Sequence, residues 1–176
     1  MTAAIQRASI HLAALGLVLL AAGSQAGAGP GRVPDLDGYE KLQVPEGNNV
    51  AYVTYAEGVQ IYRWNGAAWG FVAPEAVLYD ADGAEVGTHY AGPTWESDSG
   101  SKVVGRVLER ATPDPTAIPW LKLEAASSDG PGVFHRVTFI QRLYTVGGLA
   151  PSQAGEAVGE EARVPYSTWY VFYRAE

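Results

Sequence analysis

The sequence predicts an all-β domain, an antiparallel sandwich or barrel of about nine or ten short strands, preceded by an N-terminal signal peptide. Three observations support this fold class. The 21 glycines and 11 prolines interrupt the 176 residues too often for a helical bundle. The segments between them are rich in β-branched and aromatic residues, which favour strands. No amphipathic helical pattern of useful length occurs in the chain.

Residues 1–26 have the features of a secretory signal peptide. Arg7 supplies a positive charge, residues 10–20 are mostly apolar, and residues 24–26 form a small-x-small cleavage site. A membrane anchor is the less favoured alternative, because a spanning helix needs roughly 20 apolar residues. The sequence therefore predicts a secreted or periplasmic protein without stable membrane insertion after cleavage.

Two further segments follow the signal peptide. Residues 27–41 are rich in glycine and proline and predict a flexible linker, and residues 42–176 predict a single β domain. Strands are predicted over residues 50–55, 59–64, 69–72, 76–79, 85–90, 101–108, 120–126, 133–144 and 162–174.

The turn signals between these segments differ in strength. Glu57 and Gly58 predict a hairpin turn between the first two strands, and Asn65-Gly66 is the strongest turn signal in the chain. In the segment 120–126, apolar residues alternate with Lys122 and Glu124, which predicts a strand with one buried and one solvated face.

Charge and composition exclude several classes of function. The net charge is −7, and loss of a leader containing Arg7 would make it −8, with no cluster of basic residues. A nucleic-acid or anionic-membrane partner is therefore not expected. The chain has no cysteine, which excludes disulfides and thiolate sites. Motifs for serine hydrolases, zinc proteases and dinucleotide binding are absent, so the sequence predicts no cofactor and no metal site.

Residues 87–96, with the sequence G-T-H-Y-A-G-P-T-W-E, are the strongest candidate for function. They place His89 beside Tyr90 and close to Trp95, around a Gly-Pro turn. An imidazole in this setting could bind a ligand, act as a general base or hold a metal. The alternative is a structural histidine that satisfies loop carbonyls.

Polar residues on predicted strands extend this candidate site. Gln60 and Gln141 are candidate buried amides, and a buried amide must find hydrogen-bond partners. They converge with His89 in a pocket, or they form an internal network that ties strands together. Arg142 faces away from Gln141 and either binds a carboxylate ligand or pairs with a surface acid. The 5 tryptophans and 10 tyrosines either stack on sugars and line a pocket or belong to the core.

Eight short motifs resemble those of one known family, in the same order along the chain. They are G-V-Q-I-Y (58–62), F-V-A-P-E-A (71–76), G-T-H-Y-A-G-P-T-W-E (87–96), K-V-V-G (102–105), I-P-W-L (118–121), T-F-I-Q-R (138–142), T-V-G-G-L-A-P (145–151) and R-V-P-Y (163–166). Over about residues 42–174 the chain resembles the domain-of-unknown-function 3455 family of exported bacterial and fungal proteins.

The resemblance implies export and brings no established activity. It also implies one cysteine just after the Q-I-Y strand and another in the loop after G-G-x-A-P. In this sequence those neighbourhoods hold Trp64 and residues 152–155, so no such disulfide forms.

Three hypotheses of function follow. The leading one is a non-catalytic secreted domain that binds a small molecule, a glycan or a surface partner through Gln60, His89, Tyr90, Trp95, Gln141 and Arg142. The second is an enzyme, a hydrolase or metal-dependent, which requires a carboxylate or His135 within bonding reach of His89. The third is a structural envelope or matrix protein, which a buried and fully paired His89 would favour.

Overall fold

A computed structural model describes residues 34–176, which form a closed antiparallel barrel of eight strands. Each strand pairs with the next along the chain, and the last pairs with the first. The all-β prediction is confirmed. The strands are β1 (Asn48–Trp64), β2 (Trp69–Tyr79), β3 (Glu85–Tyr90), β4 (Thr94–Ser97), β5 (Lys102–Ala111), β6 (Trp120–Asp129), β7 (Val137–Gly147) and β8 (Glu161–Ala175).

The predicted signal peptide, residues 1–26, and linker residues 27–33 lie outside the described residues. Within residues 34–176, no helix is long and apolar enough to cross a membrane. The helical element of this part of the chain is a single 3-10 turn, η1 (Glu40–Leu42).

The strand count is lower than predicted because two pairs of predicted strands are each continuous: residues 50–55 and 59–64 belong to β1, a strand of 17 residues, and residues 69–72 and 76–79 belong to β2. One strand, β4, was not predicted. The predicted hairpin turn at Glu57 and Gly58 is wrong. Gly58 pairs with both neighbouring strands, and a Cβ at this position would overlap the backbone of Glu75 and Ala76 in β2. This glycine therefore permits a close approach of two strands, which is a second common use of glycine within sheets.

The predicted turn at Asn65-Gly66 is confirmed. The Asn65 backbone N–H donates to the carbonyl of Ala68, and the Asn65 side-chain oxygen accepts from the N–H groups of Ala67 and Ala68. The turn joins β1 to β2 and fixes the register of their antiparallel pairing, in which Trp64 pairs with Trp69.

The main core fills the barrel interior with side chains from around the sheet. Its fully buried members include Ala56, Leu78, Trp95, Leu123 and Phe172. Two residues flanking Leu123 on the same face of β6, Leu121 and Ala125, pack against this core. The predicted apolar face of that strand is thereby confirmed.

A second core lies on the outer face of β1, β7 and β8, where the N-terminal segment covers the sheet. Leu36 and Leu42 pack there against Val53, Leu143 and Val171. Residues 36–41, assigned to the linker on composition, therefore contribute to the folded domain. As a result, β7 and β8 bury side chains on both faces.

The long loop between β7 and β8 is held by the two tryptophans that flank the β1–β2 turn. The indole N–H of Trp69 donates to the carbonyl of Gln153 at 2.8 Å, and the backbone of Trp64 bonds to Gly159 and Glu160. The Trp64 ring packs so closely on Gly155 that a Cβ there would lie 2.6 Å from it. The two neighbourhoods where the family resemblance implies cysteines are thus in contact.

This contact predicts that the double substitution Trp64→Cys and Gly155→Cys will form a disulfide on oxidation. An ideal Cβ at position 155 lies 2.8 Å from the Cβ of Trp64, and the exposed loop must move outward by about 1 Å to reach disulfide geometry. We expect the oxidised form to be about 2–4 kcal/mol more stable than its own reduced form in urea unfolding, because the cross-link closes a long loop. Each single cysteine variant is a control, and thiols that stay fully titratable after oxidation would contradict the prediction.

Candidate ligand-binding site

A cavity of about 400 Å³ opens at one end of the barrel. It lies between the ends of β1, β2, β3 and β5, the β3–β4 turn and the segment before β6. Its apolar wall includes Phe71, Val72, Ile118 and Leu121, and its polar lining residues are Gln60, Tyr62, His89, Arg110 and Arg142.

His89 points inward from β3 and is only 2% exposed. Its Nδ1 lies 2.8 Å from the carbonyl oxygen of Thr94. Because a carbonyl only accepts hydrogen bonds, Nδ1 carries the proton and Nε2 carries the lone pair. The ring stacks on Trp95, with centroids 4.4 Å apart and planes 15° from parallel, and it also contacts Tyr170.

Burial lowers the pKa of His89 from 6.5 to about 3. The hydrogen bond to Thr94 opposes this shift, and the positive charge of Arg142 adds to it. The imidazole is therefore neutral at physiological pH. Its Nε2 has no hydrogen bond within residues 34–176, so the ring is buried but only half paired.

The partner required by the enzyme hypothesis is not found in the described part of the chain. The hydrogen bond of His89 goes to a backbone carbonyl, and no acidic residue of this part lines the cavity. His135 is exposed and contacts the carbonyl of Gly130 instead. Residues 34–176 also contain no group of three or more acidic or histidine side chains that could hold a metal.

Gln60 and Tyr62 lie two residues apart on β1 and share its inward face. Gln60 is 3% exposed, and its buried Nε2 makes no hydrogen bond of normal geometry to the described residues. The amide interacts with the Tyr166 hydroxyl, and this interaction opposes the rise in the pKa of that tyrosine. The Tyr62 hydroxyl donates to the carbonyl of Gly148 at 2.7 Å. Gly148 has a φ of +80°, and a Cβ there would lie 3.2 Å from the Gln60 side chain, so glycine lets this loop close the wall beside Gln60.

Arg142 enters the cavity from the inward face of β7. Its Nε and Nη2 donate to the carbonyl of Pro119 at 3.1 and 2.8 Å. It forms no ion pair with any acidic residue in the range 34–176. Burial raises the pKa of Tyr62, Tyr166 and Tyr170, and the charge of Arg142 opposes each of these shifts. The guanidinium therefore lies close to the aromatic interior.

The structure brings Gln60, His89 and Arg142 to one cavity but not the other candidate residues. Trp95 lies beneath His89 as its stacking platform. Tyr90 faces outward and donates to a carboxylate oxygen of Glu96.

Gln141 lies on the opposite side of β7 from Arg142, in the outer core. Its Nε2 donates to the carbonyl of Leu42 at 2.7 Å, and its Oε1 accepts from the Tyr173 hydroxyl at 2.6 Å. Both ends of the amide are thus paired. Gln141 ties the N-terminal segment to the barrel and belongs to an internal network.

Sequence reasoning did not select Tyr62, Phe71 and Arg110 as site residues. The period of two along a strand could have found Tyr62, since it follows Gln60 at the spacing that keeps a common face. No sequence pattern identifies Phe71 or Arg110 as a site residue. They lie on β2 and β5, and the closed barrel brings these strands to the same cavity.

Residues 45–174 match the family described as "protein of unknown function (DUF3455)". The chain belongs to this family. The match covers nearly the whole barrel and confirms the resemblance based on the eight motifs. In this DUF3455 protein, Gln60, His89 and Arg142 lie in three of those motifs. No curated protein and no solved structure matches the chain.

Proposed function

We propose that this DUF3455 protein is a secreted binding module that holds a small molecule in the cavity at the end of its barrel. The observation that carries the proposal is a cavity of about 400 Å³ with apolar walls and a buried amide, that of Gln60, whose nitrogen makes no hydrogen bond of normal geometry to the described residues. Ligand sites are commonly concave and apolar, with a few polar groups that orient the ligand. Secretion is supported by the features of residues 1–26.

The rim of the cavity supports entry of an apolar molecule. Phe71, Val72 and Val107 line the cavity and are 57%, 43% and 37% exposed. Exposed apolar side chains that lie side by side commonly mark interaction sites. A ligand seated against this rim would remove their surface from water.

The placement of the tryptophans favours a small molecule over a glycan. Sugar binding commonly uses an exposed aromatic face, whereas the five tryptophans here are buried or partly buried. Trp64 packs on Trp69, Trp120 on Tyr144, and Trp169 on Tyr55. The net charge of −7 and the absence of a basic cluster also support a partner other than nucleic acid.

The test is fluorescence titration with N-phenyl-1-naphthylamine, a neutral apolar dye that brightens on leaving water. We expect saturable binding at one site per chain, with a Kd in the micromolar range. The variant Ala91→Trp places an indole at the cavity mouth on an exposed turn residue, and we expect it to weaken binding at least tenfold by filling the site.

The matched control is Ala126→Trp, which adds the same side chain at an exposed position of β6 away from the cavity. This control should bind the dye like the parent protein. Equal binding by all three proteins would place the dye elsewhere, and an absence of saturable binding would overturn the proposed function.

A further inference from the structure

The charged groups that line the cavity are all of one sign. Two arginines, Arg110 and Arg142, line it together with the amide of Gln60. No acidic residue of the described chain lines it, although the protein carries 19 acidic residues against 12 basic ones. The cavity is therefore a positively charged site in an acidic protein.

Arg142, like Lys122 and Arg174, is a partly buried cation of the described chain that donates to backbone carbonyls and forms no ion pair, and of these three only Arg142 lines the cavity. Four exposed or partly exposed ion pairs occur within residues 34–176, and they join Arg63 to Glu161, Lys102 to Glu96, Arg106 to Glu124 and Arg163 to Glu75. Arg142 is more enclosed than Arg63, Arg106 and Arg163, yet its partner is the neutral carbonyl of Pro119. Charged groups removed from water are normally paired. The Arg142 guanidinium also interacts with the Tyr170 hydroxyl, which is neutral as well, so no carboxylate of the described residues pairs with it.

A second donor lines the same cavity. The Nε2 of Gln60 is buried and makes no hydrogen bond of normal geometry within residues 34–176, although the amide interacts with the Tyr166 hydroxyl, and an unsatisfied buried donor is costly. A ligand oxygen would satisfy it. A carboxylate has two oxygens and about four lone-pair positions, so one carboxylate can accept from a guanidinium and an amide together.

We infer that the cavity takes a small amphipathic organic anion, a monocarboxylate with an apolar body. Its carboxylate accepts hydrogen bonds from Arg142 and Gln60, and its apolar body lies along the wall toward Phe71 and Val72. Arg110, exposed at the mouth, attracts the anion by its charge. This inference rests on the proposed function and adds the chemical class of the ligand.

The experiment compares two ligands that differ in their head group. Decanoate and 1-decanol are titrated at neutral pH as competitors of bound N-phenyl-1-naphthylamine. Charge-assisted hydrogen bonds are stronger than neutral ones, so we expect decanoate to bind at least tenfold more tightly than decanol. The variant Arg142→Gln should weaken decanoate about tenfold more than it weakens decanol or the dye.

The matched control is Arg63→Gln, which makes the same change in net charge on the residue after Tyr62. Arg63 forms an exposed ion pair with Glu161 and does not line the cavity. Decanoate should bind this control like the parent protein, which separates a specific contact from the general field of the protein.

Arg142 also donates to the carbonyl of Pro119, so its substitution can weaken binding by disturbing the fold. A second variant separates loss of the ligand contact from such a disturbance. Gln60→Leu replaces an unsatisfied buried amide by an apolar group, so we expect it to be at least as stable as the parent. It should nevertheless lose most of the preference for decanoate over decanol, a change that a purely structural Gln60 would not produce.

A failure of the anion assignment can be distinguished from a failure of the proposed function. Equal affinities for decanoate and decanol, unchanged in Arg142→Gln and Gln60→Leu, would overturn the anion assignment and leave the binding cavity in place. Absence of saturable dye binding to the parent protein would remove the proposed function, and the assignment with it.

Discussion

Replacing Trp95 by alanine is expected to cost about 3–5 kcal/mol of folding free energy, the range for truncating a large buried aromatic residue. Trp95 is 1% exposed at the centre of the interior core. Its ring stacks on His89 and meets Tyr170 and Phe172 edge to face, at 5.1 and 5.9 Å between centroids. Alanine would leave a cavity in place of the indole. The neighbouring strands cannot move in to fill this cavity, because hydrogen bonds on both sides fix β4 in a closed barrel.

The variant Trp95→Phe is the informative comparison. The indole Nε1 is buried without a hydrogen-bond partner among the described residues. Replacing the indole by the smaller phenyl ring lowers stability through lost packing, but it also removes this unsatisfied donor, which raises stability. We therefore expect it to cost less than half of the alanine effect. Urea unfolding followed by far-UV circular dichroism measures both changes. An alanine variant within 1 kcal/mol of the parent would show that Trp95 does not support the packing of the barrel interior.

The fold class was accessible from sequence because the signals that decide it are local. β-Branched and aromatic runs separated by glycine and proline specify strands and turns without knowledge of their partners. The Asn65-Gly66 turn and the buried face of β6 were predicted for this reason. The eight motifs likewise identified the family, because a match of ordered motifs requires no three-dimensional information.

The role of Gly58 could not be predicted from the residues next to it in sequence. A glycine between two β-rich runs is consistent with a turn and with a close approach of strands, and only the position of the partner strand separates the two. The backbone of Glu75 and Ala76 lies where a Cβ would project, so the chain continues straight through Gly58. One such residue converts two predicted strands into one and lowers the strand count.

The candidate site was only partly predictable because sequence alternation does not say which face is the interior. Gln60 and Gln141 both lie in β-rich segments, yet one points into the barrel and the other into the outer core. The N-terminal segment buries the outer face of β7, so both faces of that strand are partly apolar. The alternation that distinguished the faces of β6 is therefore lost on β7.

Acidification is expected to destabilise the protein through His89 well before its carboxylates are protonated. In the unfolded chain this histidine binds a proton with a pKa near 6.5, whereas burial lowers the folded pKa to about 3. The unfolded state thus binds more protons between these values, and stability falls as the pH falls through this window, by about 1.4 kcal/mol per pH unit. Between pH 7.5 and 5 we expect His89 to account for a loss of about 2 kcal/mol.

The measurement is the free energy of unfolding in urea at intervals over that range. Keeping the pH at 5 or above avoids Glu96 and Asp114, whose folded pKa values are lowered from 4.5 and 3.8 by hydrogen bonds to Tyr90 and Thr116. His89→Asn retains a donor near the Thr94 carbonyl but cannot titrate, so its loss over the same range should be smaller by about 2 kcal/mol. His135→Asn, the same substitution at an exposed histidine, is the matched control. If His89→Asn and the parent protein lose stability in parallel, the buried neutral imidazole is not the acid-sensitive element of the barrel.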